Sequence, residues 1–348
     1  MIAASSASGH FKPLLVQGAG ERGRTRWQQL LADAITDPAE LCRILGLDPA
    51  LIPHAMAAAE SFPLRVPRSF VARMKPGDYG DPLLLQVLPI AAELQVVDGF
   101  VMDPVGDLAS SEGAGLLHKY MGRALVVATG ACAVHCRYCF RRHFPYSAES
   151  ALGGGWQSTI DRLRSDESIH EVILSGGDPL SLSDRRLAQL TDALQTLPHV
   201  RRLRIHTRYP VVLPERVDAG LTHWLAQLSL QKVVVIHANH ASELDASVHE
   251  ACRALAACGV TLLNQSVLLA GVNDSVHTLT ELSEKLFTMQ VLPYYLHVLD
   301  RVQGAAHFEV AEQRARELYA GLIARLPGYL VPRLVREIPG EASKTPLV

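Results

Sequence analysis

The stretch ALVVATGACAVHCRYCFRR, residues 124–142, joins a short apolar, β-branched run to a turn that carries three cysteines. Five more runs of this kind follow it: EVILSG (171–176), RLRIHT (202–207), KVVVIH (232–237), TLLNQSV (261–267) and QVLPYYLHV (290–298). After the first interval the runs begin about 30 residues apart, which is the length of one strand–helix unit. The spacing therefore predicts six strands that alternate with helices in an α/β fold.

Amphipathic helical stretches separate these strands, for example one capped by Ser183 and another that ends at Gly259. Strands that alternate with helices are expected to be parallel, with right-handed crossovers. Six such units form either an open, doubly wound sheet or a curved partial barrel, and periodicity alone leaves both open. Both architectures place their chemistry at the carboxyl ends of the strands.

The flanking regions predict a three-part organisation. Residues 1–115 form a helical and irregular extension, with one helix over Trp27–Ile35 and another from Asp37-Pro38 to Gly46. Residues 83–117 read as a connecting region because they are rich in Gly, Asp and Pro. Residues 116–300 form the barrel or sheet, and residues 301–348 add a helix, a short strand at 334–338 and a terminal segment.

Composition excludes several classes of protein. The chain has 33 basic and 35 acidic side chains and a net charge of −2, which argues against nucleic acid or anionic lipid held by bulk charge. Apolar residues make up 48%, enough for a large core. No run approaches the roughly 18 apolar residues of a membrane span. The start, MIAASSASGHFKPL, lacks the features of a secretory signal, so we expect a cytoplasmic protein.

Three of the six cysteines, Cys132, Cys136 and Cys139, fall within eight positions directly after the first strand. Such clustering indicates a metal or redox site in a reducing compartment. Thiolates suit zinc or an iron–sulfur cluster. A closed zinc site needs a fourth ligand, which His135 or His143 would supply. A cubane held by three cysteines instead leaves one iron open for chemistry.

The spacing CxxxCxxC resembles that of the radical S-adenosylmethionine (SAM) superfamily. The resemblance implies a [4Fe-4S] cluster whose open iron is chelated by SAM, and a 5′-deoxyadenosyl radical formed by one-electron reduction. It also implies a partial (β/α)6 barrel of the TIM type. The SAM-binding positions carried over are Ser175, Gly176, Gly177, Asp178 and His237. Taken alone, the glycines mark an ordinary turn and the histidine is equally well explained by burial.

Longer stretches narrow the resemblance to one family: CRYCFRR, ILSGGDPL, PVVLPERV, HANH, NQSVLLAGVND and PYYLHVLD. The chain resembles the lysine 2,3-aminomutases, radical SAM enzymes that also use pyridoxal phosphate (PLP). The resemblance implies that Lys344, in a Lys-Thr-Pro segment, carries PLP as a Schiff base. Without it, Lys344 would be read as a solvated surface lysine. The other PLP positions carried over are Lys119, Tyr120, Arg123 and Gln265.

The same resemblance assigns the substrate. Arg141 matches the arginine that binds the substrate carboxylate, a task suited to its planar fork of donors. Asp300 and Glu337 match the acids that hold the distant ammonium of lysine. Two acids in one pocket favour a cationic substrate, because buried like charges repel. The implied reaction moves the amino group of (S)-α-lysine from C2 to C3, giving (R)-β-lysine, with a flavodoxin or ferredoxin as reductant.

Departures from the family pattern indicate a subgroup within the family. The glycine-rich run before Lys344 is reduced to GEAS (340–343), and Ser275 stands where catabolic members have a zinc-binding cysteine. Lys119 replaces a common arginine and Glu337 a common aspartate. The chain is most similar to short bacterial members that supply (R)-β-lysine for elongation factor P, alongside that factor's lysine ligase. The alternatives are a catabolic or osmolyte-producing aminomutase and, in another class, a zinc-supported nucleic-acid-binding regulator built on RYCFRRHF.

Overall fold

The computed structural model describes residues 24–113, 115–149 and 156–348. Within these residues nine strands form one sheet, and their order in space follows their order along the chain. The strands are β1 (Leu116–Tyr120), β2 (Arg123–Thr129), β3 (Glu171–Gly176), β4 (Arg202–Thr207), β5 (Gln231–His237), β6 (Val260–Val267), β7 (Leu292–His297), β8 (Arg333–Arg336) and β9 (Thr345–Pro346). Strands β2–β8 are parallel, while β1 and β9 pair antiparallel at the two edges.

The strand order decides between the two predicted architectures. A doubly wound sheet reverses its strand order at a switch point, whereas this sheet runs from β1 to β9 without a reversal. The sheet also curls, because Lys119 on β1 and Glu337 just after β8 meet at 2.9 Å. The fold is therefore an α/β partial barrel of the TIM type, as predicted, and the doubly wound alternative is wrong.

The six predicted runs all form strands, β2–β7, and the predicted short strand at 334–338 becomes β8. The sequence analysis counted six barrel strands, whereas the parallel part has seven because β8 adds beside β7. Strand β1 was missed. It begins in the last two residues of the region read as a connection, and its pairing with β2 depends on a hairpin turn at Gly122, whose φ is +77°.

Helices cover the outer face of the sheet. They are α1 (Arg26–Ala32), α2 (Pro38–Leu45), α3 (Ile52–Ser61), α4 (Arg68–Val71), α5 (Pro82–Leu85), α6 (Tyr146–Glu149), α7 (Gln157–Ser165), α8 (Asp184–Gln195), α9 (Tyr209–Val212), α10 (Ala219–Gln227), α11 (Ala246–Ala257), α12 (Val276–Thr288) and α13 (Glu312–Ile323). Ser183 caps α8 as predicted, and Ser275 caps α12 through Thr278 N. Ser275 thus has a structural task at the position compared with a zinc cysteine.

The N-terminal extension is helical where the structure describes it, although α1 is shorter than predicted. It ends at Ala32, and Ile35 is buried instead through a bridge to Val66. The second helix matches the prediction, with Asp37 as N-cap and Gly46 in the left-handed conformation at its end. Residues 1–23, including the start from which no secretory signal was predicted, lie outside the described residues.

One large apolar core lies between the sheet and its helices. Val172, Leu174, Leu203 and Ile205 point from β3 and β4 into this core, so the alternate residues of the same strands line the barrel interior. These interior residues are largely polar, as the Arg204 Nε–Glu171 Oε1 bond of 2.5 Å shows. No helix in the described residues is long and apolar enough to cross a membrane.

A strap formed by residues 101–107 covers the open side of the barrel, between the two edges of the sheet. Val101 forms a parallel bridge with Val302, which follows β7. A Cβ added at Gly106 would lie 3.1 Å from Pro339 Cβ, which follows β8. The strap therefore brings Asp107, a residue of the N-terminal extension, to the barrel interior.

Candidate active site

The three clustered cysteines occupy the loop that leaves the carboxyl end of β2. All three are free, and each is half-buried as a residue. Burial, followed by the charges of Cys139 and nearby groups, raises the pKa of Cys132 well above its usual range, and burial with the charge of Cys136 raises the pKa of Cys139 to about 11. The thiols are thus close enough to interact. Bound iron would favour their thiolate forms, so the loop fits a cluster.

The geometry does not favour a closed zinc site. No three His, Cys, Asp or Glu side chains in the described ranges are arranged to hold one metal ion. His135 Nδ1 lies 2.8 Å from Pro63 O, and His143 Nε2 lies 3.1 Å from Gln303 O, so one nitrogen of each ring is held by a backbone carbonyl. A cubane binds each thiolate to a different iron, and its three cysteines need not converge on one point.

Buried ion pairs anchor the cysteine loop to the N-terminal extension. Arg137, between two cluster cysteines, bonds Glu93 through Nε at 2.8 Å and Nη2 at 2.5 Å. Arg142 shares the same carboxylate at 2.8 Å, and both guanidinium groups lie over the ring of Phe62. The side chains of Arg137 and Glu93 have no exposed surface. Such a pair fixes geometry, because removing either partner leaves a buried charge.

A second anchor reaches the loop from β4. Arg208, the residue after this strand, donates from Nη1 to Cys136 Sγ at 2.8 Å. Its Nη2 donates to Gln86 Oε1 at 2.6 Å and to Glu243 Oε2 at 2.9 Å. The sequence analysis missed the three arginines of these anchors, Arg137, Arg142 and Arg208. Arg208 could have been identified as a candidate site residue because it follows the carboxyl end of a predicted strand.

The glycine turn after β3 packs against the start of the cysteine loop. Gly177 N donates to Thr129 O at 2.7 Å, and Asp178 N donates to Ala131 O at 2.8 Å. A Cβ at Gly177 would lie 2.5 Å from Ala131 O, and Gly176 has a φ of +110°. Both glycines are therefore required by the backbone itself. The turn joins the two segments that the sequence analysis assigned to the cluster and to SAM.

The side chain of Asp178 points toward β4. Its carboxylate accepts from Thr207 Oγ1 and from Arg208 N, each at 2.7 Å. Burial raises the pKa of Asp178 to about 6 in spite of these bonds. These contacts tie the ends of β3 and β4 together, and the predicted contact of this carboxylate with SAM stays a prediction.

Alternating charges run through the barrel interior from Arg141 to Lys344. Arg141 Nε bonds Asp107 Oδ2 at 2.6 Å, and Asp107 Oδ1 lies 2.6 Å from Lys119 Nζ. Lys119 Nζ bonds Glu337 Oε1 at 2.9 Å, and Glu337 Oε2 accepts from Lys344 Nζ at 2.5 Å. We call these five residues the charge chain. Four were predicted site residues, and Asp107 was missed because nothing in its local sequence marks it.

The acids of this region differ in their protonation. Burial opposes ionisation of Glu337, but the charges of Lys344 and Lys119 outweigh it and lower its pKa to about 2. Burial and the charge of Glu337 raise the pKa of Asp300 to about 7. Since Lys344, Lys119 and Glu337 all act on Asp300, the predicted acid pair shares one pocket with Lys344. Glu337 is ionised at neutral pH, whereas Asp300 is partly protonated.

Three histidines line the same interior from β4, β5 and β7. In the part of the chain that the structure describes, the Nε2 atoms of His206, His237 and His297 are buried without a hydrogen-bond partner. The rings of His206 and His237 are 6.0 Å apart. Burial, followed by nearby positive charge, lowers the pKa of His237 to about 3 and the pKa of the other two well below the usual range. Neutral, unpartnered imidazoles of this kind are what a polar ligand would satisfy.

His237 was a predicted site residue, whereas His206 and His297 were missed. The alternation in RLRIHT placed Arg202, Arg204 and His206 on one face of a strand whose other face is apolar. That face lies in the barrel interior. Gln265 lies beside His237 in the register of β5 with β6, so its predicted position joins the same lining.

The remaining predicted positions lie at the β1–β2 hairpin. The Arg123 guanidinium lies 4.7 Å from the centre of the Tyr120 ring, and the two residues pair across the hairpin. Burial and the charge of Glu337 raise the pKa of Tyr120. Tyr120 and Lys119 therefore both reach the neighbourhood of Glu337, with Arg123 beside them.

Comparison with known proteins identifies the family. The chain is 48% identical over 325 residues to the L-lysine 2,3-aminomutase of Escherichia coli, covering 93% of this chain and 95% of that protein. It is 46% identical over 324 residues to the enzyme of that name from Haemophilus influenzae, covering 93% and 96%. Fold and site define an α/β-barrel enzyme, and these relatives place it among the isomerases. The chain belongs to the L-lysine 2,3-aminomutase family.

Two other comparisons add less. No family model matches the chain. Solved structures that align with it include a radical SAM methyltransferase from Sphaerobacter thermophilus, with a TM-score of 0.45, 18% identity and coverage of 64% of this chain and 68% of that one. Another is native anSMEcpe with bound AdoMet, with a TM-score of 0.43, 12% identity and coverage of 57% and 58%. Structural similarity this low does not identify the function of the chain.

Proposed function

We propose that the protein converts (S)-α-lysine to (R)-β-lysine with a SAM-derived radical and PLP. The observation that carries this proposal is the charge chain, which gathers predicted carboxylate-binding, ammonium-binding and PLP-binding residues in one barrel interior. Relatives at 46–48% identity bear the name of this activity. The substrate, the cofactors and the direction of reaction are proposals for this chain.

The cysteine loop fits the proposed cluster. Cys132, Cys136 and Cys139 would hold a [4Fe-4S] centre, which when bound supplies the electron that cleaves SAM. The buried contacts of Arg137 with Glu93 and of Arg208 with Cys136 hold the loop in place. Their cationic groups also offset the negative charge that three thiolates bring into a buried loop. The predicted SAM residues lie at the same carboxyl edge of the sheet: Ser175 and Gly176 end β3, Gly177 and Asp178 follow it, and His237 ends β5.

The barrel interior fits PLP at Lys344. When bound, PLP supplies an aldehyde for the amine and a conjugated ring that delocalises an unpaired electron. Lys119, Tyr120, Arg123 and Gln265 would hold it, and the unpartnered histidines offer further polar contacts. The four residues that would hold it are half-buried, so a bound cofactor would complete the exclusion of water that protects reactive species.

Charge balance favours a substrate with a second amine. Asp107, Glu337 and Asp300 face Arg141, Lys119 and Lys344, three acids against three bases. While Lys344 holds the aldehyde, its nitrogen no longer serves Glu337 as a free ammonium, so the distant ammonium of an incoming lysine would meet the acid pair. The α-amine of that lysine would then take over the aldehyde and release Lys344 as a free amine. Arg141, which also donates to Ser175 Oγ at 3.1 Å, would meet the carboxylate end.

Ser275 supports the elongation factor P pathway predicted from the sequence, because it caps a helix at the position where catabolic members have a zinc-binding cysteine. The chain is also 48% identical to the Escherichia coli relative but 34% identical to the enzyme of that name from Clostridium subterminale. We therefore propose a cytoplasmic enzyme that supplies (R)-β-lysine to the lysine ligase of elongation factor P and takes electrons from a flavodoxin or ferredoxin. A catabolic or osmolyte-producing aminomutase remains the second candidate.

The test is an anaerobic assay of the reconstituted enzyme. Protein loaded with iron, sulfide and PLP is incubated with lysine, SAM and dithionite, and the product is resolved by chiral chromatography. We expect (R)-β-lysine, no product from Lys344→Ala or Cys139→Ala, and full activity from Cys252→Ala, a buried cysteine outside the loop. Turnover by Lys344→Ala at the wild-type rate would overturn the PLP assignment, and an S product would overturn the pathway.

A further inference from the structure

The segment that carries Lys344 is anchored mainly by the residues that follow the lysine. The six residues before it, 338–343, are all exposed, and Gly340 within them has a φ of +84° with no atom within 4 Å of an added Cβ. After Lys344 the chain returns to the sheet as β9, where Thr345 pairs with Arg336 and Pro346 with Val335. The place of the amine is therefore set by the residues that follow it.

A ladder of two residues is too short to hold a strand by itself. The anchor is Leu347, which is 7% exposed and packs with Leu318, Leu322 and Leu334 between α13 and β8. Its N–H donates to Leu334 O at 3.1 Å. The guanidinium of Arg316 on α13 donates to its carbonyl oxygen. Side chain and backbone of Leu347 are thus both held.

We propose that Leu347 and Arg316 form a clamp that positions Lys344 for its bond to the cofactor, which extends the function proposed above for Lys344. With the clamp docked, Lys344 Nζ lies 2.5 Å from Glu337 Oε2 and 5.9 Å from the centre of the Tyr295 ring. With the clamp released, the exposed residues before Lys344 keep only the close approach of Gly106 to Pro339. Leu347 and Arg316 are positioning residues and touch neither substrate nor cofactor.

The size of the effect follows from the burial of one leucine. Burying this side chain shifts the ratio of docked to released segment on the order of tenfold to a hundredfold. Leu347→Ser should therefore raise, by at least about tenfold, the PLP concentration that half-labels Lys344. Val348→Ser is the matched control, because Val348 is 63% exposed.

The experiment uses the full chain reconstituted with its cluster. PLP bound at Lys344 is fixed by borohydride and quantified by mass spectrometry of the peptide, and amide exchange is followed over residues 344–347. We expect Leu347→Ser and Arg316→Gln to lose labelling and exchange protection, with iron content unchanged and the melting temperature lowered by only a few degrees. Leu347→Ile and Val348→Ser should behave as wild type. Glu312→Gln controls for the ion pair that Arg316 also makes with Glu312.

Wild-type labelling of Leu347→Ser, or unchanged exchange at residues 344–347 in that variant, overturns the clamp. Failure of the proposed function is distinct. If wild-type protein takes no label at Lys344, the PLP assignment falls, and with it the clamp's purpose, whereas the exchange data still report whether Leu347 holds the segment. Loss of labelling in Leu347→Ile, which keeps an apolar side chain of the same size, would also overturn the proposal.

Discussion

Replacing Gly177 by Ala tests the contact between the glycine turn and the cysteine loop. A Cβ at this position would lie 2.5 Å from Ala131 O and 2.7 Å from the carbonyl carbon of Gly130. Both obstacles are backbone atoms, so no side chain can rotate away. The two segments must separate, and the hydrogen bond from Gly177 N to Thr129 O must stretch with them.

The size of the loss can be worked out from these distances. Ordinary van der Waals contact begins near 3.4 Å, so the backbones must move apart by about 0.9 Å. Overpacking of this kind costs about 1–3 kcal/mol, and a weakened backbone hydrogen bond adds about 1 kcal/mol. We therefore expect the free energy of unfolding to fall by about 2–4 kcal/mol. Cys132, directly after Ala131, should also move, which weakens iron binding.

Urea denaturation of the apoprotein measures the first effect, and iron retained after gel filtration of the reconstituted protein measures the second. Gly328→Ala is the matched control, because no atom lies within 4 Å of its added Cβ. We expect that control to change stability by less than about 0.5 kcal/mol. Equal stability and equal iron content in the two variants would refute the close-approach reasoning.

Three changes to buried charges give further expectations. Asp107→Asn leaves Arg141 and Lys119 buried without their shared carboxylate, so the free energy of unfolding should fall by about 3–5 kcal/mol in urea, and a loss below about 1 kcal/mol contradicts this. Folding lowers the pKa of Glu337 from 4.5 to about 2, so its stabilising effect is complete above pH 4.5 and lost toward pH 2. The difference in urea midpoint between wild type and Glu337→Gln should therefore shrink over that range, and a constant difference contradicts the shift. Glu93→Gln removes the carboxylate shared by the two arginines of the cysteine loop and should cost about 3–5 kcal/mol, with faster alkylation of the apoprotein thiols; unchanged alkylation would show that the loop holds itself.

Most of the sheet could be predicted from the sequence because its parallel strands are buried. Runs such as EVILSG and KVVVIH are apolar and β-branched, and each ends in a glycine turn or a polar residue. Strands β1 and β9 carry no such pattern. They form because tertiary contacts hold them against β2 and β8, and β9 has only two residues.

The site residues also differ in whether the local sequence indicates their role. The cysteines and the glycine turn were predicted because their spacing within a few residues fixes their geometry. Asp107 could not be predicted, since its partners Arg141 and Lys119 lie on other segments of the chain and meet it only in the folded barrel. Glu93 and Glu243 escaped for the same reason. Their roles depend on which arginines face them in the folded chain, and the sequence around each glutamate does not indicate those partners.

The barrel is joined along one side by side chains and the strap, whereas ladder hydrogen bonds join its strands elsewhere. The Lys119–Glu337 bond and residues 101–107 form this seam between β1 and β8. Its width can therefore change without breaking a pair of strands. A group that binds between Arg141 and Lys344 would therefore compete with side-chain contacts at the seam and leave the strand hydrogen bonds in place.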